Sequence, residues 1–263
     1  MRIMNQDKIL EIIKELAREA GKIILEVYET DFEVDYKEDA SPLTMADRRA
    51  NEHIVRGLRE HFPEYAILSE EMKDDGSRRA NEYCFIVDPL DGTKEFVKRN
   101  GQFTVNIALA YRQHPVIGVI MVPVTGDLYY AATEIGAYKQ DGRTGEISKL
   151  QVSSKKDHLI WVGSKSHSGE QEKALIEKHQ HLIAEVRSAG SSLKGCLVAE
   201  QKADVYYRFG LTCEWDTAAM HCIAETAGAI VRQLDHTPLL YNRENTLNDK
   251  GFYIVNREEN IWD

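Results

Sequence analysis

Ile86-Val-Asp88-Pro-Leu-Asp91-Gly-Thr93-Lys-Glu-Phe96 continues an apolar, strand-like run from Tyr83 and closes in a turn that starts a short helix. Two carboxylates three residues apart stand at the strand's end, the place where α/β proteins gather their ligands. Pro89 fixes its own φ and drives Asp88 out of helical geometry, so the Asp88 side chain, the Leu90 carbonyl and the Asp91 side chain can converge on one cation. The amides of Gly92 and Thr93 begin a helix whose positive end can hold a phosphate beside that cation, and Gly92 permits close backbone approach. Taken by itself, the stretch is equally an ordinary turn with Asp91 as a helix cap.

Two further segments shift that balance. Leu68-Ser-Glu70-Glu71 also ends a strand in paired carboxylates, and Glu214-Trp-Asp216-Thr opens a helix with another acid. Carboxylates gathered without cations repel by about 4 kcal/mol per close pair at an effective dielectric of about 20, so a cluster implies divalent metal. Oxygen-only ligands point to magnesium. His53, His61, His167 and His221 lack the paired spacing of a zinc site, and Cys84, Cys196, Cys213 and Cys222 stand far apart without a C-x-x-C pair. G-x-S-x-G is absent, which argues against a serine hydrolase. Thr44-Met-Ala-Asp47 fits a capping box, and Glu71 reads as a solvated neighbour.

Outward from these acids, apolar residues recur at helical spacing over 6–27, and a strand over 32–36 leads to a loop at 39–44. A second helix follows from Thr44, its cap, to about His61. Strand-like runs at 66–69, 83–87, 104–111, 116–122, 128–132 and 137–140 build a largely antiparallel sheet. Strands at 159–163, 203–208 and 252–255 then alternate with helices at 171–181, 191–200 and 215–227. This order predicts a layered α/β sandwich, a single unit of two lobes around a cleft, with a weak internal boundary near 145–155.

The chain has 263 residues, 43% hydrophobic and 29% charged, enough to bury a substantial core. The run from Val116 to Val124 is far shorter than the ~20 residues that span a bilayer, so no transmembrane segment is expected. Charges interrupt the apolar N-terminus, leaving no signal-peptide core, and the expected location is the cytoplasm. A formal net charge of −10 excludes a duplex nucleic-acid reader and leaves an anionic small molecule as partner if metal ions intervene. The sequence does not specify an oligomeric state.

Leu68-Ser-Glu-Glu71, Asp88-Pro-Leu-Asp-Gly-Thr93 and Trp215-Asp-Thr-Ala-Ala219, in that order and spacing, resemble the three signatures of the inositol monophosphatase superfamily of magnesium-dependent, lithium-sensitive phosphatases. Thr93 to Asn106, Gly190-Ser-Ser-Leu-Lys194 and Arg208-Phe-Gly210 resemble its CysQ-type 3′(2′),5′-bisphosphate nucleotidases. The resemblance implies an αβαβα sandwich that hydrolyses adenosine 3′,5′-bisphosphate to AMP and phosphate, with 3′-phosphoadenylyl sulfate of sulfate assimilation as a second substrate. It implies that Glu70, Asp88 and the Leu90 carbonyl hold one Mg2+, that Asp88, Asp91 and Asp216 hold another, and that a third, weaker ion shares Glu70. Thr93 with Asp47 would orient and deprotonate the attacking water. Gly92 and Thr93 would bind the reacting phosphate, Lys194 and Arg208 the second phosphate, with Ser166, His167 and Ser191 around the nucleotide. Met220 departs from the glycine usual in the family, one helical turn beyond Asp216, where a thioether could crowd the pocket wall. An inositol-1-phosphate or fructose-1,6-bisphosphate phosphatase with the same metals is the alternative, and a metal-stabilised binding protein without turnover is the alternative of another class.

Overall fold

The computed structural model describes residues 5–37, 42–164 and 169–262. Helix α1 (Gln6–Tyr28) buries the stripe Ile9, Ile13, Leu16, Ala17, Ala20 and Ile24, and the Asn5 side chain caps it by accepting from Lys8 N at 3.0 Å. Strands β1 (Val34–Tyr36) and β2 (Pro42–Thr44) pair antiparallel, so the expected loop at 39–44 holds a short strand. Pro42 is tolerated there because an end position of a two-stranded ribbon need not donate to a neighbour. Helix α2 (Met45–His61) follows at once, and Thr44 and Asp47 form its capping box.

The larger sheet runs in the order β3 (Ala66–Ser69), β4 (Tyr83–Asp91), β5 (Thr104–Tyr111), β6 (His114–Met121), β7 (Leu128–Ala132), β8 (Gly136–Gln140) and β9 (Ile147–Lys149). Only the β3–β4 pair is parallel, which fits the expected largely antiparallel first half. Helix α3 (Thr93–Val97) follows β4. The smaller sheet places β11 (Ile183–Ser188) beside β10 (Leu159–Gly163), then β12 (Val205–Arg208), β14 (Phe252–Val255) and β13 (Ile230–Gln233). Helices α4 (Glu170–Lys178), α5 (Leu193–Ala199) and α6 (Glu214–Thr226) lie among these strands in the chain. Strands β9, β11 and β13 were not expected. β9 is exposed throughout and β11 nearly so, which leaves them little alternating apolar pattern.

Side-chain alternation separates the layers. Phe85, Val87, Val105, Ile107 and Val119 face α1 and α2 in one core, whereas Cys84, Ile86, Ala108 and Ala110 face α5 and α6 in a second. That second core continues through Val162, Tyr206 and Ile254 of the smaller sheet. Trp161, Val205, Tyr207 and Tyr253 pack on the sheet's other side, against Leu175 of α4 and Trp262. The order helix, sheet, helix, sheet, helix is the expected αβαβα sandwich. Close contact between α6 and the larger sheet depends on Gly118, where a Cβ would lie 2.6 Å from the Ala219 carbonyl oxygen. The small Ala108 and Ala110 beside it allow the same approach, and this brings the start of α6 against the end of β4.

Candidate active site

Strand β4 pairs with β5 up to Asp88↔Asn106, breaks register between Asp88 and Asp91, and rejoins at Asp91↔Thr104. This bulge turns both carboxylates toward the start of α6. Asp88, Asp91 and Asp216 each offer an oxygen, and the three atoms lie within 4.8 Å of one another. Burial first, then the charges of Glu70, Asp91 and Asp216, push the Asp88 carboxyl well above the usual range. Burial and the Asp91 charge push Asp216 up to about 8. Carboxylates so placed resist ionising together unless a cation joins them. Among the described residues no histidine or cysteine belongs to this group, and the hard-oxygen donor set suits a divalent cation.

Main-chain amides hold each acid in place. Leu90 N donates to Asp88 Oδ1 at 3.0 Å, Ser192 N to Asp91 Oδ2 at 2.7 Å, and Cys213 N to Asp216 Oδ2 at 2.6 Å. Asp47 Oδ2 accepts from Thr44 N at 2.7 Å and Thr44 Oγ1 at 2.6 Å, leaving Oδ1 to accept from Thr93 Oγ1 at 3.1 Å. Asp47 therefore caps α2 and touches Thr93 at once. Burial raises its carboxyl against the opposing hydrogen bonds from Thr44 and Thr93. Thr93 Oγ1 also lies 3.3 Å from the Leu90 carbonyl oxygen. Gly92 adopts φ +91°, and a Cβ there would meet the Gln102 carbonyl oxygen at 3.2 Å, so the turn into α3 requires glycine.

Glu70 adjoins the trio through a side-chain hydrogen bond with Asp88. Its Oε1 pairs with Lys37 Nζ at 2.7 Å, and the same ammonium holds Glu71 Oε1 at 2.5 Å. Glu71, expected to be solvated, is thus a largely buried ion-pair partner. Burial opposes the Lys37 charge, but Glu70 and Glu71 outweigh it and hold the ammonium above its ordinary range. Burial is also the first cause of the raised Glu70 carboxyl, partly offset by Lys37.

A cleft of about 650 Å³ opens over these acids, lined by Gly92, Thr93, Ser191, Lys194, Arg208 and Met220 among others. A larger cleft of about 790 Å³, along β3 and residues 72–81, contains none of the aspartate trio. Lys194, 7% exposed, reaches the carbonyl oxygens of Ser191 at 2.5 Å and Ala189 at 3.4 Å, and burial depresses its ammonium. Arg208 Nη2 donates to the Leu211 carbonyl at 3.3 Å. Arg208 Nε and Ser191 Oγ are buried with no hydrogen-bond partner among the described residues, polar capacity that suits a ligand. Ser166 and His167 lie outside the described residues. Met220 contributes to the cleft wall, but little of it is open to solvent. It is 3% exposed and packs into the space left by Gly195, whose Cβ would lie 2.9 Å from Met220 Cβ.

Lys37, Asn106 and Ser192 belong to this site and escaped the sequence reading. Asn106 Nδ2 donates to Asp91 Oδ2 at 3.2 Å and to Ser192 Oγ at 2.9 Å, and Ser192 Oγ lies 2.7 Å from Asp91 Oδ2 and 2.8 Å from the Asp216 carbonyl. A lone amide in an otherwise apolar strand was the signal for Asn106, and pairing β4 with β5 places it opposite Asp88. Lys37 had no such signal.

Comparison with known proteins bears on this geometry. Residues 5–260 match the sequence model of the inositol monophosphatase family. A 3′(2′),5′-bisphosphate nucleotidase CysQ of Salmonella typhimurium is 44% identical over 256 residues, covering 94% of this chain and 99% of that protein. The protein of the same name from Escherichia coli K12 is 40% identical over 252 residues, with the same coverage. The crystal structure of CysQ from Bacteroides thetaiotaomicron superposes with a TM-score of 0.85 at 44% identity, covering 98% of this chain and all of the other. An inositol monophosphatase from Anabaena gives 0.75 at 26% identity, over 96% of this chain and 92% of that one.

Proposed function

This chain belongs to the inositol monophosphatase family, and we propose that it is a magnesium-dependent phosphomonoesterase that converts adenosine 3′,5′-bisphosphate to AMP and phosphate. The observation that carries the reading is one cleft lined both by Asp91 and Asp216 of the aspartate trio and by the buried Lys194 with Arg208. A bisphosphate asks for both. Its reacting phosphate needs a charged centre that also activates water, and its second phosphate needs a fixed cation. A volume of about 650 Å³ accommodates a nucleotide. The nucleotidases similar to this chain over nearly its full length support the same substrate.

Glu70, Asp88 and the Leu90 carbonyl would hold one Mg2+, Asp88, Asp91 and Asp216 a second, and Glu70 would share a weaker third. When bound, these ions supply the positive charge that neutralises the phosphoryl oxygens and the leaving 3′-oxygen. The protein's own groups do the rest. Asp47, anchored by Thr44, accepts the Thr93 hydroxyl proton, which leaves Thr93 Oγ1 to take a proton from the attacking water. The raised Asp47 carboxyl makes it a better acceptor than an exposed aspartate. Ser192 and Asn106 fix Asp91, and the amides of Gly92 and Thr93 face the transferring phosphoryl group. Lys194 and Arg208 orient the 5′-phosphate, so that binding energy remote from the reacting bond positions it.

The test is phosphate release from adenosine 3′,5′-bisphosphate, inositol 1-phosphate and fructose 1,6-bisphosphate side by side, with Mg2+ and with chelator. Magnesium-dependent preference for the nucleotide supports the proposal. Preference for a sugar or inositol phosphate would keep the metal chemistry and return Lys194 and Arg208 to structural duty, and release from none would leave a metal-binding protein without turnover.

A further inference from the structure

We infer that Glu214 is a positioning residue for the metal centre, holding Asp216 through a strap, residues 241–248, that also reaches the segment carrying Glu70. Glu214 is the first residue of α6, two before Asp216, and is 0% exposed. The chemistry above makes no use of it. Its Oε2 accepts from Asn242 N at 2.6 Å, and its Oε1 accepts from Arg243 N at 2.9 Å and lies 3.3 Å from Arg243 Nε. A buried carboxylate is costly unless its lone pairs are used, and here two consecutive strap amides use them.

The strap is fastened at its far end as well. Asn248 Nδ2 donates to the Cys213 carbonyl at 2.9 Å and to Thr217 Oγ1 at 3.2 Å, and Glu214 N donates to the Thr246 carbonyl at 2.9 Å. The first turn of α6 is therefore bound on both sides of Asp216, whose Oδ2 is itself held by Cys213 N. Arg78 extends the connection. It donates through Nη1 to Asn242 Oδ1 at 2.8 Å and through Nη2 to the Arg243 carbonyl at 2.8 Å, while its Nε donates to Asp74 Oδ2 at 3.0 Å. Asp74 and Arg78 lie in the segment that leaves Glu70 and Glu71. One polar chain, from Asp74 at the surface through the buried Arg78 and Asn242 to the buried Glu214, thus joins two stretches that carry metal-site acids. Glutamine at position 214 would fit the space, but its NH2 group would face one of the two amides that now donate to the carboxylate.

This inference rests on the reading of Asp216 as a metal ligand, so its test measures metal rather than turnover. The full chain, Glu214→Gln and Arg78→Lys are titrated with Mg2+ while thermal unfolding is followed, with calorimetry of Mg2+ binding alongside. Wild type is expected to be stabilised by Mg2+. Glu214→Gln should need about 10- to 100-fold more Mg2+ for half the shift, as residues behind metal ligands commonly do. Arg78→Lys should need several-fold more. If Glu214→Gln melts lower yet titrates at the wild-type midpoint, the role is structural only and the inference is overturned; should it not fold, a wild-type midpoint for Arg78→Lys overturns it equally. A wild type indifferent to Mg2+ would remove the metal reading and this inference with it.

Discussion

Among the acids of the site, Asp88, Asp91, Asp216 and Asp47 each accept a main-chain amide, from Leu90, Ser192, Cys213 and Thr44. Among its basic residues, Lys194 and Arg208 lean on the carbonyls of Ser191, Ala189 and Leu211, while Ser191 Oγ and Arg208 Nε stay buried without partners among the described residues. The acidic group is set before any ligand arrives, and its cost is borne as the raised carboxyls of Asp88, Asp216 and Asp47; the basic group keeps polar capacity in reserve. Preorganised charge governs the chemical step, and reserved hydrogen bonding governs which substrate is held. The two groups should therefore fail differently when damaged.

The largest effect belongs to Asp88→Asn. Uncatalysed phosphate-monoester hydrolysis can require acceleration approaching ~10²¹, of which a general base supplies only ~10² to 10⁴. Losing a shared metal ligand should thus cost more than about 10⁴ in kcat on every substrate. Because a neutral amide relieves repulsion from Glu70, Asp91 and Asp216, the metal-free variant should melt no lower than wild type, a pairing that differential scanning calorimetry and phosphate release check together. Thr93→Val comes next, with a loss of about 10² to 10⁴ in kcat and an unchanged magnesium requirement, measured by titrating Mg2+ at saturating substrate. An equal rise in that requirement would move Thr93 from proton transfer to metal support.

A smaller effect concerns pH. Asp216 holds its proton up to about 8 in the fold but releases it near the ordinary aspartate value when unfolded. The native state thus binds more protons in that window, and metal-free stability should fall by a few kcal/mol as pH rises from about 4 to about 8, then level off. Saturating Mg2+ should flatten the curve over the same window. Denaturant unfolding at several pH values, with chelator and with Mg2+, distinguishes the two.

The same contrast explains what could be read from the sequence. Asp88-Pro-Leu-Asp91-Gly-Thr93 carries its geometry locally, since proline and glycine set the turn and the adjacent residues supply the donors. The layers followed from the order of the elements, helices first, then a run of strands, then strands alternating with helices, because each element carries its own apolar period. Lys194, Arg208 and Ser191 carry no such local pattern and entered only through resemblance. Lys37 and Ser192 act across 33 and 101 residues of chain, on Glu70 and Asp91, and only the packed sheet brings those partners together. Met220 shows the reverse: read along the helix it threatens the cleft, yet Gly195 on the facing helix gives it room.

The most direct test of this division of labour compares Lys194→Ala and Asp91→Asn with wild type on adenosine 3′,5′-bisphosphate and adenosine 3′-monophosphate at saturating Mg2+. Asp91→Asn is expected to lose kcat on both substrates alike. Lys194→Ala is expected to raise KM about 10- to 100-fold for the bisphosphate, the cost of one charge-assisted contact, and to leave the monophosphate nearly untouched. Equal losses for Lys194→Ala on both substrates would contradict a separate site for the second phosphate.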